Sequence, residues 1–131
     1  MVFHHVSDDL KNDFEVALEA VRRNGFLLQF VGDALKKNTE LALEAVKQNC
    51  FVFLFADEDM RENPLVVMAA VKQYPSLLQH AGENLKNNRE IVLAAVRRNG
   101  LALRFASDNL KNDQEIVRSA VRQRRTAPLW P

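Results

Sequence analysis

Histidine, cysteine and paired charges are the side chains of this sequence that could carry chemistry. His4 and His5 are adjacent, and neutral imidazoles are common ligands of transition metals. The place of His5 recurs at 25-residue intervals and is filled by Phe30, Phe55, His80 and Phe105. We therefore expect His5 to be a half-buried imidazole in an aromatic place, because a metal site would need more ligands than are visible.

Acidic and basic side chains recur as pairs three residues apart, once in every 25 residues. The acids are Asp8, Asp33, Glu58, Glu83 and Asp108, and the bases are Lys11, Lys36, Arg61, Lys86 and Lys111. Each pair lies on one helix face and contributes only about 0.2–0.5 kcal/mol, so the row is typical of a solvated surface. No glycine-rich phosphate loop, cysteine–histidine metal spacing or nucleophile with a nearby base accompanies it. We predict a protein that is not an enzyme, with no catalytic residue, cofactor or metal.

Composition and the first residues limit the class of protein. The chain has 131 residues, of which 47% are hydrophobic, and a net charge of +1. One domain with a real core is therefore possible. The single cysteine, Cys50, excludes an internal disulfide and favours an intracellular location. MVFHHVSDDL lacks the features of a signal peptide, and the longest apolar run, CFVFLFA, is too short for a bilayer. We expect a cytoplasmic protein that does not bind membranes.

The elements that must position these residues are copies of one 25-residue unit. The sequence divides without insertion into copies 1–25, 26–50, 51–75, 76–100 and 101–125, and a tail at 126–131. Two adjacent places never vary, and they hold Ala20-Val21, Ala45-Val46, Ala70-Val71, Ala95-Val96 and Ala120-Val121. Alanine kept where a larger apolar residue would bury more area indicates close helix approach. We predict one all-α domain, an α-solenoid of five two-helix repeats.

Each copy is predicted to contain a short helical piece and a helix of about 11 residues, from the apolar spacing. The long helix is expected to begin after a capping side chain: Asp13, Asn38, Asn63, Asn88 or Asp113. The pairs Asn24-Gly25 and Asn99-Gly100 are predicted stops, with glycine in the left-handed conformation. The short piece, LALRFASDNLKN in the last copy, is expected to be interrupted near Ser107, which could cap a second turn.

One phrase of the sequence resembles a known family. The pattern E-I-V-x-x-A-V-R-x-N-G-L-A-L-x-F-A-S-x-x-L-K-N-D, from Glu90 to Asp113, is similar to the tandem repeats called domain of unknown function 4116. The family's unit is about two copies long, so the resemblance covers essentially the whole chain. It implies a helical repeat and brings no established activity, cofactor or catalytic residue. Copy 51–75 departs most, with Leu65 for glutamate and Tyr74-Pro75 for asparagine-glycine.

The third copy is apolar at places that most of the array keeps polar. Leu54 stands where the other copies have His, Gln or Arg, Leu65 stands where they have Glu, and Tyr74 replaces Asn. Two interpretations stay open, which are idiosyncratic packing and a binding or dimer patch. We predict that the protein binds a protein partner through Leu54, Leu65 and Tyr74. Phe14, at the start of the first long helix, is either a further contact or a local staple.

Basic side chains concentrate in the last two copies. The five copies carry net charges of −2, 0, −2, +2 and +3. The arginines concerned are Arg97, Arg98, Arg104, Arg118, Arg122, Arg124 and Arg125. Rows of arginines could follow phosphates, so binding of nucleic acid or another polyanion is the alternative function, although the total charge is near zero. Opposite charges at the two ends also allow weak head-to-tail self-association.

The last copy has the features of a terminal repeat. Arg118 takes the place of Leu18, Leu43, Met68 and Leu93, which predicts a polar end face. Two prolines prevent the tail TAPLWP from extending the last helix. We expect Trp130 to fold back over the last copy, or else to belong to a short peptide motif.

Overall fold

Helices account for all the regular structure in the part of the chain that the computed structural model describes. This part comprises residues 14–126, without the side chains of residues 33, 34, 125 and 126. The long helices are α1 (Phe14–Arg23), α3 (Thr39–Gln48), α5 (Pro64–Gln73), α7 (Arg89–Arg98) and α9 (Gln114–Thr126). The 3-10 helices are η1 (Gly25–Phe30), η2 (Cys50–Phe55), η3 (Pro75–His80) and η4 (Gly100–Phe105), and the single turns are α2 (Asp33–Lys36), α4 (Glu58–Arg61), α6 (Glu83–Lys86) and α8 (Asp108–Lys111). The predicted all-α class is confirmed. None of the described helices has both the length and the apolar character needed to cross a membrane.

The long helices begin where the sequence predicts. The side chains of Asn38, Asn88 and Asp113 each accept a hydrogen bond from the backbone N–H three residues later, at 3.1, 3.1 and 3.2 Å. Asn63 accepts from two N–H groups, and Pro64 follows it at a position where an N–H would have no partner. The first cap of the series, Asp13, lies outside the described residues. The predicted caps are therefore confirmed in four copies.

The short piece of each copy is a six-residue 3-10 helix followed by one α-helical turn. Before η1, η2 and η4, the side chain of Asn24, Asn49 or Asn99 accepts from the N–H two residues later, at 3.0 Å in each case. This bond gives a partner to one of the N–H groups that the first turn of each 3-10 helix leaves unpaired. The interruption expected near Ser107 is confirmed, because its side chain accepts from the N–H of Leu110 and caps α8.

The glycines after the long helices do not have the predicted left-handed conformation. No described residue has a positive φ, and Asn24 before Gly25 is extended, with φ of −153°. Gly25 is instead needed for close approach, since a Cβ there would lie 2.6 Å from the carbonyl oxygen of Ala45. Its N–H donates to Oε1 of Gln48 at 2.6 Å, across to the next long helix. The predicted helix stops at Asn24-Gly25 and Asn99-Gly100 are confirmed, whereas the predicted left-handed conformation of the glycine is wrong.

The core lies between neighbouring long helices, which pack in the order α1, α3, α5, α7, α9 with a 3-10 helix beside each pair. The invariant alanines mark these contacts, because Ala45, Ala70 and Ala95 have no exposed surface. The invariant valines of the first four copies are equally buried. Close approach at the Ala-Val places is therefore confirmed.

Neighbouring long helices are parallel, with their first residues side by side. Nδ2 of Asn63, before α5, donates to Oγ1 of Thr39 at the start of α3, at 3.0 Å. Arg89, at the start of α7, pairs with Asp113, before α9, at 3.1 Å. At the opposite ends, Arg22 of α1 pairs with Glu44 of α3 at 3.7 Å. Each copy thus meets the next through equivalent places.

Candidate protein-binding surface

Exposed apolar side chains concentrate in the third copy. The described residues include eight large hydrophobic side chains that are well exposed, and five of them belong to residues 51–75: Phe51, Leu54, Phe55, Leu65 and Tyr74. Their exposed fractions lie between 41% and 64%. The helix η2 buries the other apolar side chains of its sequence, Cys50, Val52 and Phe53. The predicted exposure of Leu54, Leu65 and Tyr74 agrees with the structure.

We name four of these exposed side chains the copy-three patch: Phe51, Leu54, Phe55 and Tyr74. Phe55 is the residue after Leu54 in η2. Tyr74 follows the last residue of α5 in an extended conformation, and its ring centroid lies 5.2 Å from that of Phe51. Phe51 and Leu54 are three residues apart in a 3-10 helix, so their side chains eclipse each other. The patch therefore joins Tyr74 to Leu54 through Phe51.

The other two predicted contact residues lie elsewhere. Leu65 is in the first turn of α5, nine residues before Tyr74, which places it about 14 Å from Tyr74 along the helix. Phe14 is the first residue of α1, where it is half-buried and packs against the core. Neither residue belongs to the copy-three patch.

Sequence reasoning missed Phe51 and Phe55. In other copies their places hold apolar residues such as Phe26, Leu101 or Phe105, so these two side chains looked like part of the shared core. The signal that could have found Phe51 is the spacing of three to Leu54, which places both side chains on one face of a helix.

A small cavity opens beside the patch, between the second and third copies. Its volume is about 280 Å³, and its walls include Leu28, Val52 and Met60 with Lys36 and Asp57. Phe55 forms one wall and meets the ring of Phe26 edge to face, with centroids 5.8 Å apart. The patch thus continues into an apolar recess with one cation and one anion in its lining.

A missing backbone hydrogen bond accompanies this opening. Between the third and fourth copies the N–H of Gly82 donates to the carbonyl of Arg61 at 2.8 Å, and the N–H of Ser107 repeats this contact with Lys86 at 2.9 Å. Between the second and third copies no such bond joins the equivalent groups, the N–H of Asp57 and the carbonyl of Lys36.

Acidic side chains follow the patch directly. Asp57, Glu58, Asp59 and Glu62 are all exposed around the single turn α4. Asp57 caps this turn by accepting from the N–H of Met60 at 3.0 Å, and Asp59 pairs with Lys37 at 3.8 Å. The surface next to the patch is therefore mainly negative.

The arginines of the last two copies are only partly brought together. Arg97, Arg118 and Arg122 line one depression of about 440 Å³, with Glu115 and Ser119 in the same lining. The other arginines lie apart from it: Arg98 ends α7, Arg104 stacks over the ring of Phe105 at 4.7 Å, and Arg124 lines a shallower depression beside Gly100. The side chain of Arg125 lies outside the described residues.

The described cysteine and histidine, which could carry reactive chemistry, are buried or half-buried in the fold. Cys50 is buried, and burial raises the pKa of its thiol, which disfavours the reactive thiolate. His80 is half-buried, as expected for an imidazole in this place, whereas His4 and His5 lie outside the described residues. Within residues 14–126, no group of three His, Cys, Asp or Glu side chains is arranged to hold a metal ion.

Comparison with known proteins identifies one family. The family described as domain of unknown function (DUF4116) matches residues 1–36, 13–61, 63–109 and 88–127. These overlapping matches cover nearly the whole chain and are those of a tandem repeat, so the resemblance seen in the sequence is confirmed. No curated protein and no solved structure matches the chain.

Proposed function

The chain belongs to the family of domain of unknown function 4116, and from this premise we propose that it is a non-catalytic helical-repeat scaffold. It binds a protein partner through its third copy. The observation that carries the proposal is the copy-three patch, in which four large apolar side chains of η2 and the end of α5 are exposed, with the rings of Phe51 and Tyr74 in contact. Single exposed apolar residues are normal on protein surfaces, whereas a contiguous group marks an interaction site.

The scaffold itself is inferred to be an α-solenoid of five copies, with residues 1–125 as one domain and 126–131 as a tail. The long helices begin at residues 14, 39, 64, 89 and 114, so the described elements recur at intervals of 25 residues. Stacked copies that meet through equivalent places present side chains at regular intervals, which suits an extended binding surface. The lone buried Cys50 supports a cytoplasmic location.

The partner is proposed to be a protein segment with apolar anchors and basic flanks. Aromatic side chains such as Phe51 and Tyr74 supply much contact area at low entropic cost, and such residues often dominate binding energy. The recess beside Phe55 can take one apolar side chain. The acidic residues around α4 favour lysine or arginine beside those anchors, because opposite charges speed association and select partners.

The test uses a displayed library of random peptides, selected on the immobilised full chain. We expect selected peptides to carry aromatic or branched apolar residues next to lysine or arginine. The substitutions Leu54→Gln and Tyr74→Asn restore residues found at these places in other copies, so the double variant should fold. It should bind the selected peptides about tenfold or more weakly, equivalent to at least about 1.4 kcal/mol.

A matched control comes from the same copy. Leu65→Glu also restores the residue of the other copies at an exposed leucine, but it lies about 14 Å along α5 from Tyr74. Peptide affinity should survive this change. Equal binding to the wild-type chain and the Leu54→Gln/Tyr74→Asn variant would refute the proposed site.

Polyanion binding is a second candidate, supported by the depression that Arg97, Arg118 and Arg122 share. A fluorescent single-stranded oligonucleotide is the probe, titrated at about 50 and 200 mM salt. Release of counterions from three contacts predicts an affinity loss of roughly tenfold or more over this range. An affinity that does not change with salt, or that Arg118→Gln and Arg122→Gln leave intact, would exclude this function.

A further inference from the structure

The junction between the second and third copies lacks a backbone contact that the next two junctions have. In those junctions a carbonyl of the single turn accepts from an N–H of the following copy, as that of Arg61 does from Gly82 at 2.8 Å. Lys36 and Asp57 occupy the equivalent places, but the N–H of Asp57 has no acceptor among the described residues. The N–H of Asp57 and the carbonyl of Lys36 can therefore pair with a ligand instead of with each other.

The apolar recess beside the copy-three patch lies at this junction. Lys36 and Asp57 both line it, together with the buried side chains of Val52 and Met60. Its volume of about 280 Å³ is below the range of most sites for drug-sized molecules, so it suits one side chain better than a larger ligand. Ligand sites commonly combine apolar walls with a few polar groups that fix the orientation of the ligand, and this recess has both.

The sequence also sets Asp57 apart from its counterparts. Its place holds serine or glycine in every other copy: Ser7, Gly32, Gly82 and Ser107. The Asp57 side chain is exposed and adds a negative charge to the other acidic residues around α4. Because opposite charges attract across an interface, the surroundings of the recess favour a segment that carries lysine or arginine.

We propose that the recess holds one apolar side chain of an extended peptide, and that a peptide group next to this side chain bridges Asp57 and Lys36. A trans peptide group directs its C=O and its N–H in opposite directions. Its oxygen can therefore accept from the N–H of Asp57 while its N–H donates to the carbonyl of Lys36. The peptide thus pairs both backbone groups that this junction leaves unbonded, which a hydrocarbon ligand does not do. This inference rests on the proposed function, because it describes how the partner segment is held beside the copy-three patch.

The two contacts have different roles in selecting the peptide. Pairing with the peptide backbone accepts any residue except proline, which has no N–H, whereas the recess selects an apolar side chain. Main-chain hydrogen bonds and side-chain pockets divide affinity and specificity in the same way where a peptide adds to the edge of a sheet. We therefore expect the selected peptides to share one leucine, isoleucine or phenylalanine and to have no proline at the bridging nitrogen.

A pair of variants at Asp57 tests the bridge. Asp57→Pro removes the N–H and fits the local backbone, because φ of Asp57 is −79° and Ala56 before it is extended. Asp57→Ala is the matched control, since it removes the same carboxylate and keeps the N–H. Isothermal titration calorimetry measures the affinity of both variants for the tightest peptide from the displayed library. Asp57→Pro should bind this peptide at least about fivefold more weakly than Asp57→Ala, and equal affinities would overturn the proposal.

Changes in the peptide test the same bridge without altering the chain. Methylation of its backbone nitrogens, one in each synthetic peptide, removes one hydrogen-bond donor at a time. Methylation of the nitrogen that donates to the Lys36 carbonyl should weaken binding to the wild-type chain about fivefold or more. A peptide that tolerates methylation at every nitrogen would contradict the bridge.

Occupation of the recess is tested at its rim. Gln29 lines the recess and is exposed, so it can be replaced without disturbing the core. Gln29→Trp puts a large side chain at the opening and should weaken peptide binding about tenfold or more, because the apolar anchor can no longer enter. Gln29→Ala is the control, since it removes the same side chain, leaves the recess open and should bind as the wild type does. Equal binding by the two variants would show that the recess is empty in the complex.

Failure of the proposed function would give a different pattern. If no peptide is selected, or if Leu54→Gln/Tyr74→Asn binds the peptides as the wild type does, the copy-three patch is not the site. N-acetyl-leucine N′-methylamide then probes the recess alone, because it has one apolar side chain between two peptide groups. At millimolar concentration it should shift the NMR amide signals of Val52, Asp57 and Met60, and unchanged signals would overturn this inference. Peptides that depend on the patch but bind Asp57→Pro and Asp57→Ala equally would overturn the bridge alone.

Discussion

The third and fourth copies bury equivalent residues and have different surfaces. The long helices α5 and α7 bury equivalent residues, such as Val66 and Ile91, or Val71 and Val96. Their outer places differ: the third copy has Phe51, Leu54, Phe55, Leu65 and Tyr74, and the fourth has Ser76, Gln79, His80, Glu90 and Asn99. Packing against two neighbours restricts the buried places, whereas the outer places are free to vary. The proposed binding site therefore rests on the places where the third copy departs from the other copies.

The largest expected effect comes from breaking the shared core. Ile91→Ala would leave a cavity where a 1% exposed side chain now packs, and it should reduce the free energy of unfolding by about 2–4 kcal/mol. Leu65→Ala in the third copy removes an exposed side chain and should change the free energy of unfolding by less than about 0.5 kcal/mol. Urea unfolding, monitored by circular dichroism, measures the free energy of unfolding of both variants. Similar losses of stability in Ile91→Ala and Leu65→Ala would mean that Ile91 is not a core residue or that Leu65 is not a surface residue.

The glycine after a long helix should give the next effect in size. Gly25→Ala places a Cβ 2.6 Å from the carbonyl oxygen of Ala45 and should cost about 1–3 kcal/mol of unfolding free energy. Gly82→Ala is the control, because its Cβ would meet only the side chain of Glu62, which is exposed and flexible. That variant should stay within about 0.5 kcal/mol of the wild type. Thermal unfolding of the two variants side by side tests the assignment of close approach.

A pH-dependent effect should distinguish the caps of the fourth and fifth copies. The Arg89 guanidinium and then the N–H of Ile116 lower the pKa of Asp113, so its charged form is favoured in the folded chain. This stabilisation is present above the ordinary carboxyl pKa of about 3.9 and is lost as the pH falls through the lower, folded value. Asp113→Asn should therefore reduce stability at neutral pH, and the difference should disappear in acid.

The fourth copy supplies the control for that prediction. Asn88 has the same capping place, but the residue that corresponds to Arg89 one copy earlier is Pro64. Asn88→Asp should therefore show less of the pH dependence that Arg89 gives Asp113. Unfolding curves between pH 2 and 7 compare the two sites, and equal pH dependence would show that Arg89 is not its cause.

The smallest effect should come from making the third copy resemble the fourth at one exposed place. Leu65→Glu puts a negative charge in the first turn of α5, where it interacts favourably with the helix dipole. We expect a gain of a few tenths of a kcal/mol in the free energy of unfolding, measured at low salt. A loss of more than about 1 kcal/mol would place Leu65 in the core.

Local features of the fold could be predicted because they depend on a few neighbouring residues. Asn38, Asn88 and Asp113 cap the starts of long helices through their own side chains, and Ser107 caps the start of α8 in the same way. The role of Gly25 could not be predicted correctly, because the atom that requires it belongs to Ala45 in the next copy. Long-range packing, rather than local conformation, selects that glycine.

The candidate surface was predictable only in part, for a similar reason. Leu54 and Tyr74 stand out because the other copies have polar residues there. Phe51 does not stand out, because the same place holds apolar residues such as Phe26 and Leu101 in other copies. Tyr74 directly follows α5 in an extended conformation, and its ring there contacts that of Phe51.

The missing bond between the second and third copies has a consequence for amide exchange. In a linear array each copy is stabilised by its neighbours, so a weaker junction divides the array into separately opening blocks. The N–H groups of Gly82 and Ser107 are bonded across their junctions and should exchange slowly with solvent deuterium. That of Asp57 has no acceptor among the described residues and should exchange fast. Opening should therefore start at the junction where Lys36 faces Asp57. The backbone N–H groups of copies three to five should remain protected from exchange together.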